Sequence, residues 1–138
     1  GLLLDVPLVR LCDMFDEVEL VDILHLPRVQ KRAQFFPNVR LVDADLSGLA
    51  DATWDHVDAG RTGPLPVPGG DDDLCQGSDL ILSANLLTQL PLGPLGWVQG
   101  MGDVYSEDQT RAFGRTIIDH HLAFLGRQSG RVCLLSET

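Results

Sequence analysis

Short apolar segments rich in β-branched residues alternate along this chain with longer segments whose apolar residues recur every three or four positions. The first pattern is typical of buried β-strands and the second of amphipathic helices. Strands that alternate with helices are joined by right-handed crossovers, which make the strands parallel. The sequence therefore predicts an α/β fold, a mostly parallel sheet with helices on both faces.

The boundaries of these segments follow from apolar runs, prolines, glycines and capping residues. Proline suits the first turn of a helix, and glycine or proline often ends one. The Gly-, Pro- and Asp-rich residues 59–77 and the Gly-rich residues 93–102 are predicted loops. The predicted strands are residues 18–21, 39–42, 80–83 and 132–135, and the predicted helices are residues 6–15, 28–36, 49–57 and a long helix that follows Ser106.

The long helix carries the clearest local signals. Ser106 and Gln109 match a capping box, and Gly126 is a suitable C-terminal stop. An apolar stripe follows at helical spacing, which places His120 in the core and leaves the adjacent His121 facing solvent. The members of this stripe are Phe113, Ile117, His120 and Phe124.

Length and charge restrict the kinds of partner. The chain has 138 residues, enough for one domain, and its formal net charge is −10 with only 10 Lys and Arg. Proteins that bind nucleic acids or anionic membranes use a basic face, so we expect neither partner. No run approaches the roughly 18 apolar residues that a membrane helix needs. A small molecule, or another protein, is therefore the expected partner.

The cysteines and histidines do not form a metal-binding pattern. Cys12, Cys75 and Cys133 are widely spaced and include no CxxC pair, and the four histidines show no HExxH or comparable spacing. We expect no metal. Three thiols without an obvious pairing fit a reducing environment, so a cytoplasmic location is expected, with Cys12 and Cys133 as small core residues.

Polar residues stand where three of the predicted strands end. Asp22 and Asp45 follow the first two strands, and Ser83 and Asn85 stand at the end of the third. Ligands of open α/β sheets bind beyond the carboxyl ends of the strands, and an acid there accepts hydrogen bonds from ribose hydroxyls in nucleotide-binding folds. Three of these residues also have a structural interpretation: Asp22 as the cap of the helix near Pro27, Asn85 as the cap of a short helix at residues 86–90, and Asp45 in an Asx turn.

At these residues the chain resembles the class I S-adenosylmethionine-dependent methyltransferases, which have a Rossmann-like fold. The run DLILSANLL at residues 79–87 is similar to the family's fourth strand, and the order of elements matches from residue 1 to about residue 136. The resemblance implies S-adenosylmethionine as cofactor and methyl transfer to an acceptor, expected to be a small molecule. The implied roles are ribose binding by Asp22, adenine packing by Ile23 and Leu46, binding of the adenine amine by Asp45, and contact with the methionine end and the methyl group by Ser83 and Asn85.

Gly1 resembles the last glycine of the turn that follows the family's first strand, which makes it a further cofactor-binding candidate. In that family the first strand lies in the middle of the sheet, and two more strands follow the matched region. We therefore expect residues 1–138 to be one partial methyltransferase-like domain, a fragment that lacks the first and last strands. The resemblance assigns no catalytic residue.

Two other functions stay open at this point. A nicotinamide-dependent oxidoreductase shares the alternation and the ribose-binding acid, but after Gly1 the next glycine is Gly48, so the full glycine-rich turn is not visible. A methyltransferase-like module that binds a partner without catalysis has the same fold, because one α/β scaffold hosts many functions. Binding of S-adenosylmethionine, of NAD or of neither distinguishes the three.

Overall fold

The computed structural model of the chain describes residues 6–70 and 73–136, so the predicted role of Gly1 lies outside the described residues. The described part is mixed α/β, and it divides into two compact units, Gly1–Leu46 and Ser47–Thr138. The expected α/β class with parallel strands is confirmed at this level. The helices are α1 (Leu8–Met14), α2 (Pro27–Ala33), α3 (Ala50–Asp58), α4 (Leu92–Gln99) and α5 (Glu107–Gly126), and the strands are β1 (Val18–Asp22), β2 (Val39–Asp43), β3 (Leu80–Ala84) and β4 (Arg131–Leu135).

The first unit contains a parallel pair of strands joined by a helix. β1 pairs with β2 in a register that sets Asp22 opposite Asp43. α2 connects the two strands, begins with Pro27 in its first turn, and buries Val29 and Ala33. A strand, a crossover helix and a parallel strand make a βαβ unit, as the alternation predicts.

Side chains on the connections hold this unit together. The amide of Asn38 donates to the carbonyls of Cys12 and Phe15, each at 2.9 Å, which ties the end of α1 to the start of β2. Glu19 lies opposite Arg40 in the strand register, and the two form an exposed ion pair. The asparagine bonds satisfy backbone carbonyls that a helix end leaves unpaired.

The second unit contains the other parallel pair, β3 and β4, whose register runs from Leu80 opposite Arg131 to Ala84 opposite Leu135. α4 and α5 lie between these strands in sequence. The apolar core of this unit draws on the loop before α3, on α4, on α5 and on the segment between the last two. Its buried members are Leu49, Val98, Tyr105, Phe113 and Ile117.

The long helix begins as the sequence predicts. The backbone N–H of Gln109 donates to Ser106 Oγ at 3.2 Å, and the backbone N–H of Ser106 donates to Gln109 Oε1 at 2.8 Å. This reciprocal capping box satisfies two backbone donors at the helix start. The prediction is confirmed because every group involved lies within four residues, where sequence is a direct guide to structure.

Between β3 and α5 one prediction is wrong, and the structural interpretation of Asn85 as a helix cap is wrong as well. Residues 93–102 were expected to be a loop, but α4 covers Leu92–Gln99. Pro94 lies in the first turn, where the missing N–H costs no hydrogen bond, and the burial of Pro94 and Val98 offsets the poor helix propensity of glycine. Residues 86–90 form a turn, not a helix, with the Leu90 N–H donating to the Leu86 carbonyl at 2.9 Å.

The last strand is apolar yet exposed. All five residues of β4 are exposed, so the prediction that Cys133 is a core residue is wrong, and Cys12 is only half-buried. Among the described residues β4 has one neighbouring strand, β3. No helix among the described residues is long and apolar enough to cross a membrane.

Candidate functional site

Asp22 and Asp45 emerge at the same edge of the first parallel pair. β1 ends at Asp22 and β2 ends at Asp43, its register partner. The Ala44 N–H donates to the Asp22 carbonyl at 3.0 Å, so the pairing continues one residue further. Because parallel strands have their carboxyl ends at one edge, both acids stand where α/β sheets bind ligands.

Exposed apolar side chains flank these acids. Ile23, directly after Asp22, is 57% exposed, and Asp45 is exposed as well. Leu46 is half-buried. The edge therefore combines carboxylate acceptors with an open apolar surface, which suits a ligand that has hydroxyl or amino donors and a flat apolar ring.

His25 has a structural role beside this edge. It is 7% exposed, and its Nε2–H donates to the Val42 carbonyl at 3.1 Å, with Asp43 Oδ1 3.5 Å away. The Gln30 side chain donates to the His25 carbonyl at 2.8 Å, which ties the segment after β1 to α2. A histidine whose Nε2 proton is held by a backbone carbonyl fixes the loop after β1 against β2 and does not act as a base through that nitrogen.

The carboxyl end of β3 turns sharply at Asn85. Its backbone φ is +55°, in the left-handed region that asparagine adopts more readily than most residues. The Asn85 N–H donates to the Leu135 carbonyl at 2.8 Å, so the residue is tied to the end of β4 while its chain turns away. Asn85 is half-buried and lies at the edge where the sequence predicts it.

Ser83 lies inside the protein. It is 2% exposed, and its Oγ is 2.9 Å from Nε2 of His121, which is also 2% exposed. The resemblance implies that Ser83 faces the methionine end of a cofactor, whereas its hydroxyl is directed to α5. The strand alternation explains this, since successive side chains of a strand point to opposite faces.

The placement of the two adjacent histidines was predicted the wrong way round. His121 is buried and His120 is half-buried, so the buried face of α5 passes through Phe113, Ile117, His121 and Phe124. Both sets of spacings fit a helix, and only packing against β3 selects between them. Burial, and secondarily the neighbouring His120, lower the pKa of His121, so this ring is neutral at pH 7.

A second buried polar contact holds the loop that follows α3. His56 Nε2 and the Tyr105 hydroxyl are 2.6 Å apart, and that hydroxyl donates to the Gly63 carbonyl at 2.8 Å, with the Arg61 carbonyl 3.3 Å away. Since Tyr105 has one proton to donate, His56 donates to it through Nε2–H. Sequence reasoning missed this contact, because no local pattern links residues 49 positions apart.

The same loop returns to the segment before α3. The Gly69 N–H donates to the Gly48 carbonyl at 2.9 Å, and Gly48 has a φ of +71°. A Cβ at Gly48 would lie 2.5 Å from the Gly69 carbonyl oxygen and 2.8 Å from His120 Nε2. Only glycine fits this close approach, so the predicted loop is held at both of its described ends.

The two tryptophans lie close together on neighbouring helices of the second unit. Trp54 and Trp97 meet edge to face, with ring centroids 5.4 Å apart, and Trp54 is 50% exposed. Their mutual contact joins α3 to α4.

An open pocket of about 430 Å³ lies at the opposite edge of the second sheet. Its lining comes from the residues just before β3, from the last turn of α5 and from the segment between α5 and β4: Gln76, Gly77, Phe124, Arg127, Gln128 and Ser129. These residues precede the strands, so the pocket lies at their amino ends. Ligands of parallel sheets bind at the carboxyl ends, and we assign no function to it.

The predicted site residues therefore fall into two described groups. Asp22, Ile23, Asp45 and Leu46 belong to the first unit and share the edge of its strand pair. Ser83 and Asn85 belong to the second, where Asn85 occupies the edge and Ser83 the interior. Within residues 6–70 and 73–136 there is no cluster of three or more metal-ligating side chains.

Comparisons with protein-family models, with curated proteins and with solved structures find no match to this chain.

Proposed function

We propose that the chain is a Rossmann-like methyltransferase domain that binds S-adenosylmethionine and transfers its methyl group to a small-molecule acceptor. One observation carries the proposal. Asp22 and Asp45 stand together at the carboxyl edge of a parallel βαβ unit, beside the exposed Ile23. This is the edge at which nucleotide-binding α/β folds hold the ribose with an acid after a strand.

The pairing of the strands also supports the proposal. A doubly wound sheet has the strand order 3-2-1-4-5-6, so its first strand separates the pair 3-2 from the pair 4-5. β1 with β2 and β3 with β4 are parallel neighbours, each pair within its own unit, and such neighbours are compatible with that order. A single sheet in which β2 paired with β3 would have opposed the resemblance.

The residues at the edge fit the groups that such a cofactor presents. The Asp22 carboxylate can accept two ribose hydroxyl protons side by side, and Asp45 can accept from the exocyclic adenine amine. Ile23 and Leu46 offer apolar contact to the faces of the base.

When bound, S-adenosylmethionine supplies an activated methyl group on a sulfonium, and its leaving group is neutral. The protein then has to hold the nucleophile in line with the methyl carbon, which is a matter of orientation. No histidine of the chain is assigned as a base. His25, His56 and His121 are each buried and hydrogen-bonded, and His120 packs against the backbone near Gly48.

Calorimetric titration of S-adenosylmethionine into the purified protein tests the proposal. We compare the wild type with Asp22→Asn, which removes the charge but keeps the shape, and with Asp58→Asn, an exposed acid at the end of α3, as the matched control. The expected result is binding in the wild type and in Asp58→Asn, and affinity about tenfold or more lower in Asp22→Asn, because a charge-assisted hydrogen bond contributes about 1.5–3 kcal/mol.

NAD is titrated in parallel. Binding of NAD without S-adenosylmethionine would replace the methyltransferase proposal with an oxidoreductase. A folded protein that binds neither compound would favour a module without catalysis. Equal affinity of the Asp22→Asn and wild-type proteins would refute the ribose-binding role of Asp22.

A further inference from the structure

Two tryptophans form an exposed aromatic pair where α3 lies against α4. Trp54 of α3 and Trp97 of α4 meet edge to face, with ring centroids 5.4 Å apart. Trp54 is 50% exposed, and Trp97 is half-buried. The pair leaves a large aromatic surface in solvent, and tryptophan is among the residues that most often anchor contacts between proteins.

The exposed face of α3 beside the indole is acidic. Asp51, Asp55 and Asp58 are all exposed. Asp51 lies three residues before Trp54 and Asp58 four residues after it, so both share its side of the helix, and Asp55 lies between them. Neither α3 nor α4 contains Lys or Arg, and none of the ion pairs of the described residues involves these three carboxylates.

The neighbouring face of α4 is smooth. Gly93 and Gly100 are exposed and lie four residues before and three residues after Trp97, on its side of the helix. Gly96 is exposed as well, and open space surrounds a Cβ placed at Gly93 or Gly96. A partner can therefore approach the backbone of α4 and reach the indoles without meeting other side chains of that helix face.

The charge of this surface restricts what can cover it. Nucleic acids and anionic membranes carry negative charge, which the three carboxylates repel. A symmetric dimer through this surface would set the carboxylates of one copy against those of the other, in a chain whose net charge is −10. Among the described residues no group of three or more His, Cys, Asp or Glu is placed to hold a metal ion, so the carboxylates do not form a chelating site. A cationic partner remains.

We propose that this tryptophan surface, made of Trp54, Trp97, Asp51, Asp55 and Asp58, binds an arginine-containing basic segment of another protein. A guanidinium can lie flat on the Trp54 indole and donate to a flanking carboxylate at the same time. The ammonium of lysine is compact and does not stack in this way, so the surface prefers arginine. The inference does not rest on the proposed function, because no cofactor-binding candidate lies on α3 or α4.

Synthetic peptides test the proposal on the whole chain. The probes are hexa-arginine, hexa-lysine and hexa-glutamate, each acetylated and amidated so that the termini carry no charge. Calorimetry at low salt measures the dissociation constant of each peptide. Because Trp54 and Trp97 are the only tryptophans of the chain, intrinsic tryptophan fluorescence reports whether a peptide reaches this surface.

Four variants locate the binding. Asp51→Asn/Asp58→Asn removes the two charges that flank the indole. Asp13→Asn/Asp16→Asn removes two exposed charges of the first unit and is the matched control for net charge. Trp54→Leu removes the exposed ring, whereas Trp54→Phe keeps an aromatic one. Thermal unfolding checks that each variant is folded.

We expect the wild type to bind hexa-arginine about threefold more tightly than hexa-lysine, with a change in tryptophan fluorescence, and not to bind hexa-glutamate. Removal of the two flanking charges should weaken hexa-arginine binding about fivefold relative to the matched control, because two exposed ion pairs are lost. Trp54→Leu should abolish the preference for arginine, and Trp54→Phe should keep most of it.

Three results would overturn the proposal. Equal affinities of the two double variants would assign binding to the net charge of the chain. Binding without a change in fluorescence would place the peptide elsewhere. A preference for arginine that survives Trp54→Leu would show that the indole does not select it. Each result is independent of the titration with S-adenosylmethionine, so the proposed function stands or falls separately.

Discussion

The close approach of Gly48 to the loop that follows α3 predicts a large loss of stability on the substitution Gly48→Ala. Three costs add. A left-handed φ of +71° costs an alanine about 1–2 kcal/mol. The new Cβ would lie 2.5 Å from the Gly69 carbonyl oxygen, a backbone atom that moves only with its segment, and relief of such overpacking costs about 1–3 kcal/mol. Displacement of Gly69 weakens its N–H bond to the Gly48 carbonyl.

Alanine substitutions at two other glycines of the same region allow the conformational cost to be measured apart from the steric cost. Gly60 has a φ of +62° but open space around a Cβ, so Gly60→Ala carries the conformational cost alone, about 1 kcal/mol. Gly63 has neither a left-handed φ nor a near neighbour, so Gly63→Ala is expected to be neutral or stabilising by about 0.5 kcal/mol through the unfolded state. For Gly48→Ala the expected loss is about 3 kcal/mol.

Urea unfolding of the wild type and the three variants measures these differences, with the slope of each transition used to check that the unfolded states are comparable. A Gly48→Ala variant within about 0.5 kcal/mol of Gly60→Ala would refute the reasoning. It would mean that the loop moves away from the added methyl group without cost, and that the contact between Gly48 and Gly69 does not hold the loop.

Three further predictions concern the second unit. Tyr105→Phe leaves the buried His56 N–H without its acceptor and should lower the free energy of unfolding by about 1–3 kcal/mol in urea titrations, whereas loss of less than about 0.5 kcal/mol would show that the contact is dispensable. Because burial lowers the pKa of His121 in the folded protein, the unfolded chain binds the proton first as the pH falls below about 6.5. Stability should therefore be full above that pH and decline below it, and the decline should be smaller in Ser83→Ala/His121→Leu; an equal decline in both proteins would assign it to other groups. Gly96→Ala, in the exposed interior of α4 with open space for a Cβ, should raise the thermal midpoint through a gain of about 0.5–1 kcal/mol, and a lower midpoint would contradict α4 as a regular helix.

The parts of the fold that sequence predicts well are those whose causes are local. The start of α5 depends on Ser106 and Gln109 alone, and each strand is found within one residue of its predicted bounds, because apolar β-branched runs are short and sharply ended. α4 was missed for the opposite reason. Its glycines and prolines indicate a loop, and only the burial of Val98 by neighbouring helices makes it helical.

The residues of the candidate site also differ in whether their positions depend on local or on long-range contacts. Asp22 and Asp45 are fixed by the ends of two adjacent parallel strands, so their common edge follows from the order of elements. The sequence could not show that His121, and not His120, is the buried histidine, because both fit the helical spacing. The burial depends on the contact of His121 with Ser83, which lies 38 residues earlier in the chain. Nor does any local signal connect His56 with Tyr105.

α5 both packs the apolar core of the second unit and holds the end of β3. One turn of its buried face packs the apolar core through Phe113 and Ile117, and the next turn holds β3 through His121. A substitution on this face therefore changes packing and the edge of the sheet together, and a loss of ligand binding alone would not reveal which was affected. Since Ile117 belongs to the apolar core, Ile117→Val should lower stability by about 0.5–1.5 kcal/mol and leave the backbone amide NMR signal of Asn85 in place, whereas Ser83→Ala/His121→Leu should displace that signal. That contrast in one helix, between residues four positions apart, would separate the bond that holds the end of β3 from the packing of the apolar core.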